Sequence, residues 1–194
     1  MNNQSIINIL DLLDSLGEDT VNAILSDFSC PKNPEIEDFL RKNAVEFAKR
    51  KMSITYLVFD ENKRFTAYFT LTHKSSLIPI DMLSKTSIRK LSMHAKLDEA
   101  TNCYDVSAFL IAQFGKNFAV DDGNSVVGDR LMDAVFSILE EAQRLIGGGV
   151  IFLECEDNDK LLSFYQNDNN RFKLYSSRFS EREQKKYLQL LRFF

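Results

Sequence analysis

Residues 107–146 hold the first pattern that could carry chemistry. A strand signal ends in Gln113-Phe114-Gly115-Lys116-Asn117, a polar loop follows with Gly123 and Gly128, and an amphipathic helix begins near residue 129. A helix N-terminus offers unpaired N–H groups and the positive end of its dipole, which suits a phosphate or pyrophosphate. The same residues also fit a plain loop ahead of a core helix. The second pattern is Asn158 with Tyr165, seven residues apart around a short helix, and therefore on one face. A Tyr hydroxyl, with an ordinary pKa near 10, can protonate a leaving thiolate. Tyr165 also fits as a core aromatic with a wet hydroxyl.

Other reactive side chains are scattered. His73 and His94 stand alone, in neither a metal-ligand nor a triad spacing, so no metal is expected. Cys30, Cys103 and Cys155 are widely spaced, without a CxxC pair, which excludes a zinc motif and a disulfide framework. Cys155 reads as a core thiol. Asp121-Asp122 and Glu154-Glu156-Asp157 read as a solvated turn and a strand end, although either could hold a cation. Arg41, Lys42, Lys49, Arg50 and Lys51 could grip phosphates, or form the wet face of a helix.

The elements that must position these residues follow from periodicity. Apolar residues at Ile6, Ile9, Leu10, Leu13 and Leu16 predict a helix over 4–16, closed by Gly17. A strand is expected over 20–25, and a helix over 35–51 with Ile36, Phe39, Leu40, Ala44 and Phe47 inward. Residues 54–59 and 65–71 predict a hairpin around Asp60-Glu61-Asn62-Lys63. Residues 74–105 are ambiguous, with a short helix near 81–91. Strands are expected over 107–114 and 150–153, and helices over 129–146 and 159–166. Residues 172–176 and 187–193 predict a closing hairpin. This order gives an α/β (α+β) layer, with helices on a mixed, mostly antiparallel, twisted sheet.

Composition agrees with one domain over 1–194, residues 1–17 being an accessory helix. The 194 residues are 44% hydrophobic and 27% charged, with 7 Gly and 3 Pro, which excludes fibrous and low-complexity classes. No apolar run is long enough for a transmembrane helix, the start lacks a basic signal-like segment, and a reducing cytoplasm is the simplest compartment. Net charge is −4, unevenly spread: residues 1–40 carry eight acids and one base, while the rest carries 23 bases and 20 acids. The short N-terminal helix is marginal alone, so it is expected to pack on the domain or across a homodimer interface.

Residues 107–172 resemble the acetyl-CoA-binding core of the GNAT N-acetyltransferases. That family has a strand, a Q/R-x-x-G-x-G/A loop, a long helix, a strand, and N-x-x-A-x-x-x-Y on a short helix. Asn158 and Tyr165 keep the family spacing, with Leu161 in place of Ala. The strand Ala108-Phe109-Leu110-Ile111-Ala112-Gln113-Phe114-Gly115 is similar to the one whose backbone binds the pantetheine arm. The loop departs from the pattern: Gly128 stands as expected, but Val126 replaces the first glycine and Gly123 the Q/R residue. Upstream, Phe28-Ser29-Cys30, Asn33, Ile36, Phe39-Leu40 and Ala44, with the residues 55–58 and 67–71, resemble a subgroup containing toxins that acetylate aminoacyl-tRNA.

The resemblance implies a GNAT fold and an acetyl-CoA-dependent N-acetyltransferase acting by direct attack of a primary amine. Tyr165 would be the general acid. Phe114 and Lys116 on the strand, the amides of Asn124, Ser125, Val126, Val127, Gly128 and Asp129, and Asn158 with Tyr165 would hold the co-substrate. Within the toxin-like subgroup the acceptor would be aminoacyl-tRNA, met by Arg41, Lys42, Lys49, Arg50, Lys51, Arg178, Arg182, Lys185 and Lys186. The altered loop also fits a GNAT-fold binding or regulatory protein with weak or no turnover.

Overall fold

The computed structural model describes residues 4–120 and 128–194. The chain folds as two compact units, Met1–Thr72 with Ile111–Phe136, and His73–Leu110 with Ser137–Phe194.

The first unit opens with a strand, β1 (Ser5–Asn8), where a helix is expected. The β-branched pair Ile6-Ile7 favours extended backbone, and β1 pairs antiparallel with β2 (Ile54–Phe59), setting Ile7 opposite Leu57. The helix α1 (Ile9–Leu16) starts only at Asn8, whose Oδ1 accepts the Leu10 N–H, and stops at Gly17 (φ 77°). Ile9 and Leu12 are buried and Leu10 and Leu13 pack beside them, whereas Ile6 and Leu16 are exposed. The N-terminal segment thus docks on its own unit.

Residues 20–25 are not a strand. They lie in α2 (Glu18–Ser26), with Val21 and Leu25 buried one turn apart and two acids at the N-terminal end. The expected 35–51 helix is two, α3 (Pro34–Lys42) and α4 (Ala44–Lys49). Asn43 ends one and starts the other at φ −121°. This break lets Leu40, Ala44, Val45 and Ala48 all reach one core.

β3 (Phe65–Pro79) is longer than expected, absorbing part of the ambiguous stretch. Every residue from Phe65 to Leu71 is buried, so neither face of that stretch is wet and no alternation marks it. In the second unit follow α5 (Lys85–Leu91), β4 (Leu97–Asp98) and the long β5 (Cys103–Lys116), whose last six residues belong to the first unit. α6 (Gly128–Ile146), β6 (Val150–Glu156), α7 (Asp159–Gln166), β7 (Lys173–Ser180) and β8 (Lys185–Phe193) complete the chain.

The strand order is β1-β2-β3-β5-β6-β8-β7, with β4 beside β5. Among the described pairings only β5/β6 is parallel, at Phe109↔Ile151 and Leu110↔Phe152. Beyond that register β5 continues to Lys116 and β6 to Glu156. The mostly antiparallel mixed sheet and the closing hairpin agree with the sequence reading.

Each unit has its own core. In the first, Phe28, Tyr68 and Phe65 pack edge and tilt around the buried Gly115, and Tyr68 donates its hydroxyl to the Ile36 carbonyl (2.6 Å). In the second, Ile78, Leu91, Tyr104, Val106, Phe152 and Leu191 are buried together. A Cβ on Gly115 would lie 2.6 Å from Ile36 Cγ2, on a stiff β-branched side chain. Gly115→Ala is therefore expected to cost about 1–3 kcal/mol. In urea unfolding, Gly115→Ala with Ile36→Ala should be less destabilised than the two single effects added. Strict additivity would place the crowding elsewhere.

Candidate functional site

In the first unit the end of β5 is fixed by one buried side chain, Asn117. Its Oδ1 accepts the N–H groups of Ser29 (2.9 Å) and Ala119 (3.0 Å). Its Nδ2 donates to the carbonyls of Phe65 (2.9 Å) and Asp27 (3.2 Å). All four hydrogen-bonding positions of the amide are used. The Asn117 N–H bonds the Thr66 carbonyl, and the Phe118 N–H bonds the Ser29 carbonyl, each at 2.8 Å. The direction in which the chain leaves β5 is set by this residue.

Alternation along β5 puts Phe114 and Lys116, both half-buried, on the side opposite Gly115. The Lys116 ammonium lies 5.5 Å from the Phe118 ring centroid. Gly128 and Asp129 open α6, with Asp129 in its first turn. Asn124, Ser125, Val126 and Val127, like Asp121-Asp122 and Gly123, lie outside the described residues.

In the second unit Asn158 and Tyr165 bracket α7. Asn158 is its N-cap: Oδ1 accepts the N–H groups of Lys160 (2.9 Å) and Leu161 (3.4 Å). The oxygen that the spacing offered to a ligand thus serves the helix end. Tyr165 is 7% exposed, with Phe164 and Phe172 edge-on at 5.0 and 5.9 Å. Burial, and next the nearby Cys155, push its phenol well above the ordinary tyrosine range. The phenol, protonated at neutral pH even without this shift, is thereby a weaker acid than an exposed tyrosine.

The far end of α7 is held by a turn that the periodicity of the sequence does not mark. Asn167 Oδ1 accepts the N–H groups of Asn169 (3.0 Å) and Asn170 (2.7 Å). Asn170, fully buried, donates to the Phe164 carbonyl (2.8 Å), and the Phe172 N–H bonds the Tyr165 carbonyl (2.9 Å). The run of Asn after the Tyr is the signal for such Asx turns.

The remaining candidates resolve into structure. Among the described residues no cluster of His, Cys, Asp or Glu could hold a metal. His73 sits against Ser107 and Phe109, and the His94 ring fills the space that a side chain on Gly149 would need. Glu154 takes a forked contact from Arg178, with 2.6 Å to Nη2, and one from Gln189 (2.8 Å). Burial alone would raise its carboxyl, but those donors, with Lys74 nearby, bring it below the usual range. Glu156 pairs with Lys185 (2.6 Å) and Asp157 with Lys186 (2.9 Å).

Most of the expected nucleic-acid residues are similarly engaged. Arg41 pairs with Glu37 and bonds the carbonyls of Ser26 and Phe28, Lys42 pairs with Asp38, Lys49 with Glu18, and Arg50 with Glu46. The run is a charge-balanced helix face rather than a bare cationic strip.

No family model matches the chain, and no curated protein does. Solved structures do match, and they define a GNAT-type fold. AtaT complexed with acetyl-methionyl-tRNAfMet is 18% identical with a TM-score of 0.64, covering 99% of this chain and 94% of its own. A Tyr→Phe variant of KacT is 16% identical with a TM-score of 0.65, covering 98% and 94%. A Tyr→Phe variant of the AtaT toxin, bound to acetyl-CoA and the C-terminus of the antitoxin AtaR, is 15% identical with a TM-score of 0.59, covering 98% and 93%. The GNAT fold expected from the sequence is the fold of this chain.

Two measurements test the local geometry. Asn158→Ala should cost about 1 kcal/mol in stability and Asn158→Ser much less, since Ser caps equally well; equal losses in denaturant melts would rule out the cap as the source. Burial, then Asp157 and Glu156, raise the Cys155 thiol to about 11, and burial raises Cys30. Because thiolate forms only as pH approaches these values, Cys103 should alkylate first at pH 8 by mass spectrometry, and rapid labelling of native Cys155 would contradict its placement.

Proposed function

We propose that this protein is an acetyl-CoA-dependent N-acetyltransferase. The observation that carries the reading is Tyr165, buried on an Asn158-capped helix, in a fold shared with a toxin solved with acetyl-CoA. The strand β5 presents backbone near Phe114 to the thioester carbonyl, and the amides of residues 124–129 with Gly128 at the α6 start take the pyrophosphate. A neutral amine attacks the carbonyl carbon, the C–S bond breaks, and Tyr165 passes its proton to the departing thiolate. The amine's own proton leaves to water or to an acceptor-side base. The product is an amide and free CoA.

The acceptor we propose is the α-amino group of an aminoacyl-tRNA. The support is the toxin-like start of the sequence, and the fold shared with AtaT, solved with acetyl-methionyl-tRNAfMet. The site of action is then the cytoplasm, where charged tRNA is found. A second reading, a GNAT-fold binding or regulatory protein, is favoured by one feature, the Gly123 and Val126 of the pyrophosphate loop.

The test is acetyl transfer from radiolabelled acetyl-CoA to a charged tRNA pool and to a panel of small amines. Tyr165→Phe should lower kcat by about 10²–10⁴ with little change in acetyl-CoA affinity. Because the Tyr165 phenol is raised, its proton stays in place through neutral and moderately alkaline pH. The rate should show no Tyr165-dependent fall below about pH 10. Absence of acetyl-CoA binding at millimolar ligand in calorimetry would leave the regulatory reading.

A further inference from the structure

Lys32 and Lys116 both reach Phe118. Their ammonium nitrogens lie 5.0 and 5.5 Å from the centroid of the same ring. Among the described residues neither lysine makes an ion pair, in contrast to Arg41, Lys42, Lys49, Arg50, Arg178, Lys185 and Lys186. Glu37, a carboxylate on the adjacent α3, is taken by Arg41 and by the Cys30 N–H (2.7 Å).

The base under these two cations is rigid. Phe118 is tied through its N–H to Ser29 and flanked by the fully bonded Asn117. Lys32 stands in a turn closed by the Asn33 N–H on the Cys30 carbonyl (3.0 Å). One aromatic face attracts a cation through its quadrupole, but two like charges over one small ring repel each other. A multiply charged anion relieves that repulsion and accepts hydrogen bonds from both ammonium groups. Side chains of this length swing to meet such an anion while the platform stays fixed.

We propose that Lys32 and Lys116, mounted on Phe118, form a binding site for a phosphate group of a nucleotide-containing ligand. The site stands on its own geometry, and it rests on the acetyltransferase reading only for the two sources of the phosphate, CoA itself or an RNA acceptor. The three side chains come from the turn before α3, the end of β5 and the residues just after it, all within the first unit.

The experiment uses the full chain, its Lys32→Ala/Lys116→Ala double variant and its Lys32→Arg/Lys116→Arg counterpart, with equal thermal melts as the precondition. Calorimetry measures binding of inorganic pyrophosphate, CoA, 3′-dephospho-CoA and a short single-stranded RNA. The alanine pair should weaken at least one of these phosphate ligands by about tenfold or more, and the arginine pair should retain the affinity. Loss confined to CoA and its dephospho form assigns the phosphate to the co-substrate, and a loss for CoA but not for 3′-dephospho-CoA assigns it to the 3′-phosphate. Loss confined to RNA, with a salt slope smaller by about 1.4, assigns it to the acceptor. Unchanged affinities for all four ligands overturn the proposal, as does an equal loss in the arginine pair. A protein that transfers no acetyl group but loses pyrophosphate binding in the alanine pair keeps this site and fails only the enzymatic reading.

Discussion

The buried amide of Asn117 is the interaction on which the first unit depends. It ties three chain segments, residues 27–29, the start of β3 and the exit of β5, through four side-chain hydrogen bonds. A buried amide left with any of these unmade would cost roughly 1–3 kcal/mol for each stranded group. No apolar residue of similar size could replace it, because the backbone groups it serves would then be orphaned. The strand proposed to lie along the co-substrate therefore ends at a fixed point. Residues 118–120 leave that point in a direction set by the same amide.

The second unit solves the corresponding problem with local hydrogen bonds. α7 is eight residues long, too short to persist by propensity. Asn158 closes one end and the Asn167–Asn170 turn closes the other. Between them Tyr165 is wedged by Phe164 and Phe172, so its ring is held by packing and its backbone by caps at both ends. Desolvation raises the phenol above the ordinary tyrosine range. The residues that orient the proposed acid thus also shift its pKa upward.

The sequence made the long amphipathic elements and the Asn158/Tyr165 spacing legible, because those signals are local and periodic. It misled where a segment was short or its burial unusual. Ile6-Ile7 join β1 since β2 offers them an edge, which periodicity over 4–16 does not reveal. The short run Val21-Asn22-Ala23-Ile24-Leu25 is apolar enough for a strand, yet Val21 and Leu25 sit one helical turn apart. β3 hides its length because its first half is buried on both faces, while His73, Lys74, Ser75 and Leu77 beyond it are exposed. Asn117 gave no warning of its role, for three of its four partners lie 52 to 90 positions away. The ion pairs of the basic residues were partly visible, as Glu37/Arg41 and Asp38/Lys42 stand at helical spacing. Those that cross strands, such as Glu154/Arg178, required the register.

The order of the last strands has a consequence for biosynthesis. β8 lies between β6 and β7, so β7 leaves the ribosome before the strand it pairs with exists. Until β8 arrives, β6 also waits for its partner on that side, and Glu156 and Asp157 have no counter-charge from Lys185 and Lys186. Two strand edges and an acidic strand end are thus open at once in the nascent chain. Inserting β8 closes both edges and neutralises that strand end in one step. The sheet of the second unit is therefore completed late, with unpaired strand edges exposed until β8 is in place.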